Sequence, residues 1–377
     1  MTVDTATLLE IFDAALEADY TRVRRVGNRV ARALAESGDA AGAKALQAAL
    51  KQRAIPLQAS GYAEALPRDA GSRLPLVEEG QWPTTPAFLN EQSGKTVARF
   101  LEDAANIDLL AREGVATRLG LLMHGPPGSG KSLLAGHIAA RLQRPFYIVR
   151  LDSMISSRLG ETAKNIRGVF EFIPQRNAVL FLDEMDAIAK VRDDRHELGE
   201  LKRVVNTVLQ GLDSLSDDVV VVGATNHAHL LDPAIWRRFP YKLALDMPEE
   251  DVRREMWARF LYGDATGPDL EVALLSRLSA GLSGADIENI ALGARRRAIL
   301  DGAPLALAQV FNAVTLSRPG APELVHDGDL SAEEKKRLAA RLRDSGEMTV
   351  TDIAKLLGVS RQMAHRYLGS QEPTDAR

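Results

Sequence analysis

The chain has 377 residues, 45% of them hydrophobic, and its 47 lysines and arginines against 51 aspartates and glutamates give a formal net charge of −4. That apolar content can bury a substantial core over two or more domains, while the even charge balance gives no global pull toward nucleic acid, so any such affinity must be local. The absence of cysteine excludes a disulfide framework, a thiolate metal site and a cysteine nucleophile; no apolar run reaches membrane-span length and Met1-Thr2-Val3-Asp4 lacks a signal-peptide profile, so a cytoplasmic location without membrane partners is expected.

Residues 1–55 read as a helical N-terminal module. Leu8, Leu9, Ile11, Phe12, Ala15 and Leu16 recur at helical spacing, as do Val23, Val26, Val30 and Leu34, then Ala43, Leu46 and Leu50; Ser37-Gly38-Asp39 breaks the second helix from the third. Residues 56–94 carry five prolines and four glycines and read as a linker or loosely ordered strap. An α/β core is expected over 95–247, with a five-stranded parallel sheet built from strands near 119–124, 146–151, 179–183, 219–224 and 241–245.

The first of these strands runs into Gly125-Pro126-Pro127-Gly128-Ser129-Gly130-Lys131-Ser132, which fits GxxxxGK[ST] at every fixed position and is followed by the helical stretch Leu133 to Leu142. Glycines there let the backbone form a cup of N–H groups around phosphates at a helix N-terminus. Lys131 then reaches the β- and γ-phosphates, and the Ser132 hydroxyl helps hold Mg²⁺. The alternative, an ordinary Gly/Pro turn entering a helix, loses ground beside two further strand ends. Val179-Leu180-Phe181-Leu182-Asp183-Glu184 is four apolar residues ending in two acids, the pattern of a central parallel strand whose carboxyl end meets a ligand. Asp183 would join the Mg²⁺ shell and Glu184 would polarise the attacking water; two acids capping the next helix is the blander reading. The strand over 219–224 ends in Thr225-Asn226, where a short amide either orients that water or simply forms a turn. ATP with Mg²⁺ is the expected ligand.

After Pro248 the pattern is wholly helical to 317, followed by a linker over 318–330 and a tail over 331–377.

At this point the chain resembles the AAA family of ATPases. Ala224-Thr225-Asn226-His227, Leu231-Asp232-Pro233-Ala234 and Arg237-Arg238-Phe239 are similar to that family's second region of homology, and the motifs keep the family's order over roughly 95–317. The Arg-Arg-Phe form is similar to the spastin, katanin and vacuolar-sorting branch. The resemblance implies a P-loop core with a helical lid over 248–317, ATP hydrolysis, and a homo-oligomeric, hexameric ring. It also implies that Arg237 and Arg238 enter the neighbouring subunit's ATP site and stabilise charge on the transferring phosphoryl group. Gly281-Leu282-Ser283-Gly284-Ala285-Asp286-Ile287 resembles the start of the family's lid helix and would pack Gly284 and Ala285 against the nucleotide. The family usually places an aromatic two residues before a Gly-Glu pair, to grip polypeptide in the ring's pore. Here the pair is Gly160-Glu161 and Arg158 takes that position, so peptide threading does not carry over with the rest.

In the tail, Met348 to Leu368 resembles the helix-turn-helix of bacterial regulators and resolvases, with Ala354 where the helices cross, Gly358 at the turn and Ser360 capping the second helix. Arg361, Gln362, His365 and Arg366 then form the face offered to duplex DNA. Between Ser331 and Ser370 eight basic and five acidic residues leave a net of 8 − 5 = +3, a modest basic balance that a protein-docking module would also show. The expected function is ATP-driven remodelling of a protein or protein–DNA complex; the alternative is a nucleotide-dependent DNA-binding regulator or helicase-loader-like factor.

Overall fold

A computed structural model describes residues 66–69, 75–151, 161–173, 177–187, 198–216, 219–263, 267–323, 329–344 and 348–369, with scattered positions between 26 and 44. The module expected over 1–55 thus falls almost wholly outside the described residues, and Arg158 falls entirely outside them.

In chain order the described elements begin with β1 (Glu78–Gly80), α1 (Glu91–Ala105), α2 (Ile107–Arg112), β2 (Gly120–His124), α3 (Lys131–Leu142), β3 (Phe146–Arg150), α4 (Glu161–Phe172) and β4 (Val179–Asp183). They continue with α5 (Leu198–Ser214), β5 (Val220–Thr225), α6 (Pro233–Trp236) and β6 (Tyr241–Ala244). Helices α7 (Glu250–Tyr262), α8 (Asp269–Leu278), α9 (Gly284–Asp301) and α10 (Leu307–Leu316) come next, then α11 (Ala332–Asp344), α12 (Val350–Leu356) and α13 (Arg361–Gly369).

The strands form one six-stranded sheet in the order β1-β3-β4-β5-β2-β6. Its inner strands are nearly continuous apolar runs because helices cover both faces. Alternate residues divide between the two sides with the strand's period of two. Leu180 and Leu182 of β4 join Ile166 and Phe170 of α4 and Val208 and Leu212 of α5. Val179 and Phe181 join Phe100 of α1 and Leu134 and Ile138 of α3.

The five expected strands are present and mutually parallel. The sheet is nevertheless not five-stranded and parallel, because β1 adds a sixth, antiparallel strand beside β3. It comes from the stretch expected to be a linker. A three-residue strand with two glutamates carries no apolar alternation to read. What holds it is tertiary: Val77 is fully buried, and Gly80 lies so close to Phe146 that a Cβ there would stand 2.3 Å from Cδ1 of that ring. The chain then straps across α3. Trp82 Nε1 donates to Arg144 O at 3.2 Å, and the His137 ring bonds Thr85 O at 2.8 Å.

Beyond the sheet, α7 to α10 pack around Trp257, whose indole N–H donates to Ser279 Oγ at 2.9 Å within the core. Val310 and Phe311 of α10 share one buried cluster with Leu338 and Leu342 of α11, Ile353 of α12 and Leu368 of α13. Thr349 and Asp352 cap the start of α12 reciprocally, Gly358 takes φ +63° between α12 and α13, and Ser360 Oγ accepts from Met363 N at 3.2 Å.

Candidate active site

Three adjacent parallel strands, β4, β5 and β2, end at the same edge of the sheet, and the register sets His124 beside Thr225 and Leu182 beside Gly223. The loop Gly125–Gly130, the acids at 183–184 and Asn226 leave those ends together. Gly125, Gly128 and Gly130 all have positive φ, at +150°, +76° and +89°. A Cβ at Gly125 would sit 2.0 Å from Leu245 O, and one at Gly128 would sit 2.6 Å from Ser283 Oγ, so close approach as well as backbone geometry demands glycine at both. Gly125→Ala is therefore expected to lower the melting temperature and to lack the further thermal stabilisation expected of the wild type with excess ATP, measured by thermal unfolding with and without nucleotide.

Helix α3 starts from that cup. Lys131 is buried, and its Nζ donates to Gly125 O at 2.9 Å, Pro126 O at 2.8 Å and, more weakly, Ser129 Oγ at 3.4 Å. Burial pushes its pKa below the usual lysine value, partly countered by the charges of Asp183 and Asp186. A cation held by two neutral carbonyls and a hydroxyl is placed to exchange them for phosphate oxygens, which would favour its charged form. Ser132 Oγ donates to Asp183 Oδ2 at 3.2 Å, bringing a hydroxyl and a carboxylate oxygen to one point. The Glu184 backbone lies in the left-handed region at φ +53°, rare for a residue with a Cβ, and its N–H is held by Asp183 Oδ1 at 2.9 Å. Such backbone strain is typical of functional positions.

Asp186, which no motif marks, organises the third strand end. Its Oδ1 accepts from Thr225 Oγ1 at 3.0 Å and Asn226 N at 3.2 Å, while the residue is 1% exposed. The Asn226 side-chain oxygen is left buried with no hydrogen-bond partner among the described residues. An orphaned acceptor of this kind implies a missing donor; it lines a cleft of about 410 Å³ together with Gly128–Ser132, Asp183 and Glu184. A third acid three residues after Asp183 was the available signal for Asp186, but only the fold shows that it turns back toward Thr225.

The cleft's far wall was only half expected. Gly284 and Ala285 line it: Ala285 N donates to Gly128 O at 3.2 Å, and Ser283 and Asp286 form a capping box that fixes the start of α9. Phe88, Met256, Phe260 and Glu288 line it too, and none of them belongs to a recognisable motif. Neither Arg237 nor Arg238 reaches this cleft. Arg238 donates to Asp213 at 2.9 and 3.3 Å and to Ala234 O at 3.1 Å, whereas Arg237 is exposed. Arg361, Gln362, His365 and Arg366 are all exposed on α13, with Ala364 and Leu368 buried on its other side.

Residues 121–247 match the sequence profile of the ATPase family associated with various cellular activities (AAA). An uncharacterized AAA family ATPase of Sinorhizobium fredii is 38% identical over 228 residues, which are 59% of this chain and 67% of that protein. A proteasome-activating nucleotidase of Methanothermobacter thermautotrophicus is 34% identical over 201 residues, 52% of this chain and 49% of that protein, so the chain spans about half the length of this relative. Among solved structures, the crystal structure of the FIGL-1 AAA domain aligns with a TM-score of 0.53 at 23% identity, covering 71% of this chain and 92% of that one, a likeness of fold. Carrying the phosphate loop, the paired acids and the strand-end asparagine on that fold, and matched by these relatives, the chain belongs to the AAA family of ATPases, enzymes that hydrolyse ATP.

Proposed function

We propose that the chain assembles into a homo-oligomeric ring, hexameric like the family it resembles, and uses ATP hydrolysis with Mg²⁺ to remodel a protein or a protein–DNA complex. The observation that carries the ring is the split between the cleft and the arginines: the cleft holds Lys131, Ser132, Asp183, Glu184 and Asn226, while Arg237 stands exposed outside it. A second subunit is the natural source of the missing cation. Mg²⁺ fits the donors present, since it favours one or two carboxylates with hydroxyl, water and phosphate oxygens, as Asp183 and Ser132 provide. When bound it neutralises charge on the β- and γ-phosphates. Lys131 binds the phosphates, Glu184 takes a proton from the attacking water, and the Asn226 amide holds that water or the γ-phosphate in line.

A relative named as a proteasome-activating nucleotidase favours a protein substrate. Arg158 in the pore position would present a cation where the family presents an aromatic ring. The second reading, DNA binding through the tail, rests on the exposed face of α13. Three helices on one core, a capped turn and two arginines with a glutamine and a histidine facing outward suit the major groove.

One experiment separates the readings. ATPase rate is measured on the assembled protein with an unfolded polypeptide or with duplex DNA added, and DNA retention is followed by fluorescence anisotropy at low and high salt. Protein remodelling is expected to show as polypeptide stimulation. DNA binding is expected as ATP-dependent retention that weakens with salt and is lost in Arg361→Ala/Arg366→Ala with ATPase unchanged. The double substitution is preferable to truncation, because α11 to α13 are part of a core shared with α7 to α10. A ring stimulated by neither ligand contradicts the proposal.

A further inference from the structure

Helix α9 begins against the phosphate-binding loop and climbs away from it. Ala285 N donates to Gly128 O, and a Cβ added at Gly284 would lie 3.5 Å from that same oxygen. Glu288 comes on the same face, four residues after Gly284, and so stands one helical turn, about 5.4 Å, further from the loop. Helix α7 makes a parallel climb. Met256 Cε would be 3.2 Å from a Cβ at Gly284, and Phe260, one turn on, meets the Phe88 ring edge-on with centroids 5.4 Å apart. Arg295 Nη1 donates to Phe260 O at 3.1 Å, tying the two helices together, and Glu288 and Phe260 both line the cleft.

The cleft therefore passes from a cup of backbone N–H groups to a level that sets one carboxylate beside an apolar patch of Phe88, Met256 and Phe260. A nucleoside triphosphate runs through chemistries in the same order: phosphates, a hydroxylated sugar, a flat base. The base belongs on the apolar patch, which leaves the sugar for the carboxylate. Glu288 is half-buried and has no hydrogen-bond or ion-pair partner among the described residues. Burial pushes its pKa above the usual glutamate value. A carboxylate adds repulsion near a triphosphate, so phosphate binding does not account for it. What it offers is two acceptor-only oxygens, and vicinal sugar hydroxyls offer two adjacent donors. The acid that binds the ribose 2′-OH in dinucleotide-binding folds uses the same pairing.

We propose that Glu288 is a specificity-determining residue that accepts hydrogen bonds from the ribose hydroxyls of the bound nucleotide and so selects ATP over 2′-deoxy-ATP. The proposal rests on the cleft being the ATP site.

The test measures dissociation constants and kcat/KM of the full chain for ATP, 2′-deoxy-ATP and GTP, each with Mg²⁺. Wild type is expected to prefer ATP over 2′-deoxy-ATP by about tenfold or more, the value of a hydrogen bond to a charged acceptor. Glu288→Ala is expected to bring that ratio close to one by weakening ATP and leaving 2′-deoxy-ATP nearly unchanged. Glu288→Gln, of the same size and with one neutral acceptor, should fall between and supplies the comparison if the alanine variant folds poorly. A wild type indifferent to the 2′-hydroxyl overturns the proposal, as does a ratio unchanged in both variants. So does loss of discrimination against GTP with the sugar ratio intact, which would assign Glu288 to the base. A wild type that binds ATP in none of these assays overturns the ATP site itself, an outcome distinct from the first three.

Discussion

Glu184→Gln is expected to bind ATP about as well as wild type and to hydrolyse it slower by roughly 10²–10⁴-fold, the usual contribution of a positioned general base. The amide keeps the size of the side chain but cannot take the proton of the attacking water. The left-handed backbone of Glu184 is pinned by Asp183 Oδ1 on its own N–H and by Met185 N donating to Ala224 O at 2.9 Å, so the substitution has little room to rearrange the site. Lys131→Ala is expected to fail one step earlier. It removes the buried ammonium that the loop carbonyls hold, proposed above to bind the phosphates, so binding itself is expected to weaken and turnover to disappear with it. Calorimetric binding of ATP alongside phosphate release separates the two. Glu184→Gln turning over at near wild-type rate would remove this residue from the chemistry.

The second large effect is expected at the paired arginines, where the structure divides two residues that the sequence treats alike. Arg238 is engaged within its own subunit, and Asp213 also accepts from Arg118 at 3.1 Å. The hydrogen bond from Arg238, with that from Arg118, holds the Asp213 carboxyl below the usual aspartate range despite partial desolvation. Arg237 projects into solvent. Arg237→Ala is thus expected to leave the monomer's thermal stability unchanged and to lower turnover in the ring, by up to roughly 10³-fold if it serves as a cation in trans. Arg238→Ala is expected to lower both, because it also takes from Asp213 one of its two arginine partners. Mixing Arg237→Ala with Lys131→Ala subunits should restore part of the activity, since mixed rings contain some sites with an intact loop and an intact neighbouring arginine. A monomer that turns over at full rate during light scattering rules this arrangement out.

The parts legible in the sequence are those whose chemistry is written in consecutive residues. The phosphate loop, Asp183-Glu184 and Asn226 each sit at the end of a short apolar run, and a buried parallel strand is a strong local signal. Their meeting at one edge comes from the sheet order, which places β2, β5 and β4 side by side. The cleft's apolar wall was not legible, because Phe88, Met256 and Phe260 come from two distant segments and read as ordinary core positions until the strap and α7 are brought together. Strand β1 was missed for a related reason. Its support comes from Phe146 and Ile148, far along the chain, while its own Glu78 and Glu79 face outward. Asp213 at the end of α5 belongs to no motif, and only the tertiary fold brings Arg118 and Arg238 onto it.

The buried cluster that joins α7–α10 to α11–α13 couples the tail helices to the loop at Gly128. Helix α9 touches Gly128 at its first turn, and its Ile287 and Ile290 belong to the same packed set as Leu338, Ile353 and Leu368. Close-packed interiors move as bodies. Strain placed on α9 at the loop is therefore transmitted into the packing that supports α13. Through this packing the exposed face of α13 is tied to the helix that touches Gly128.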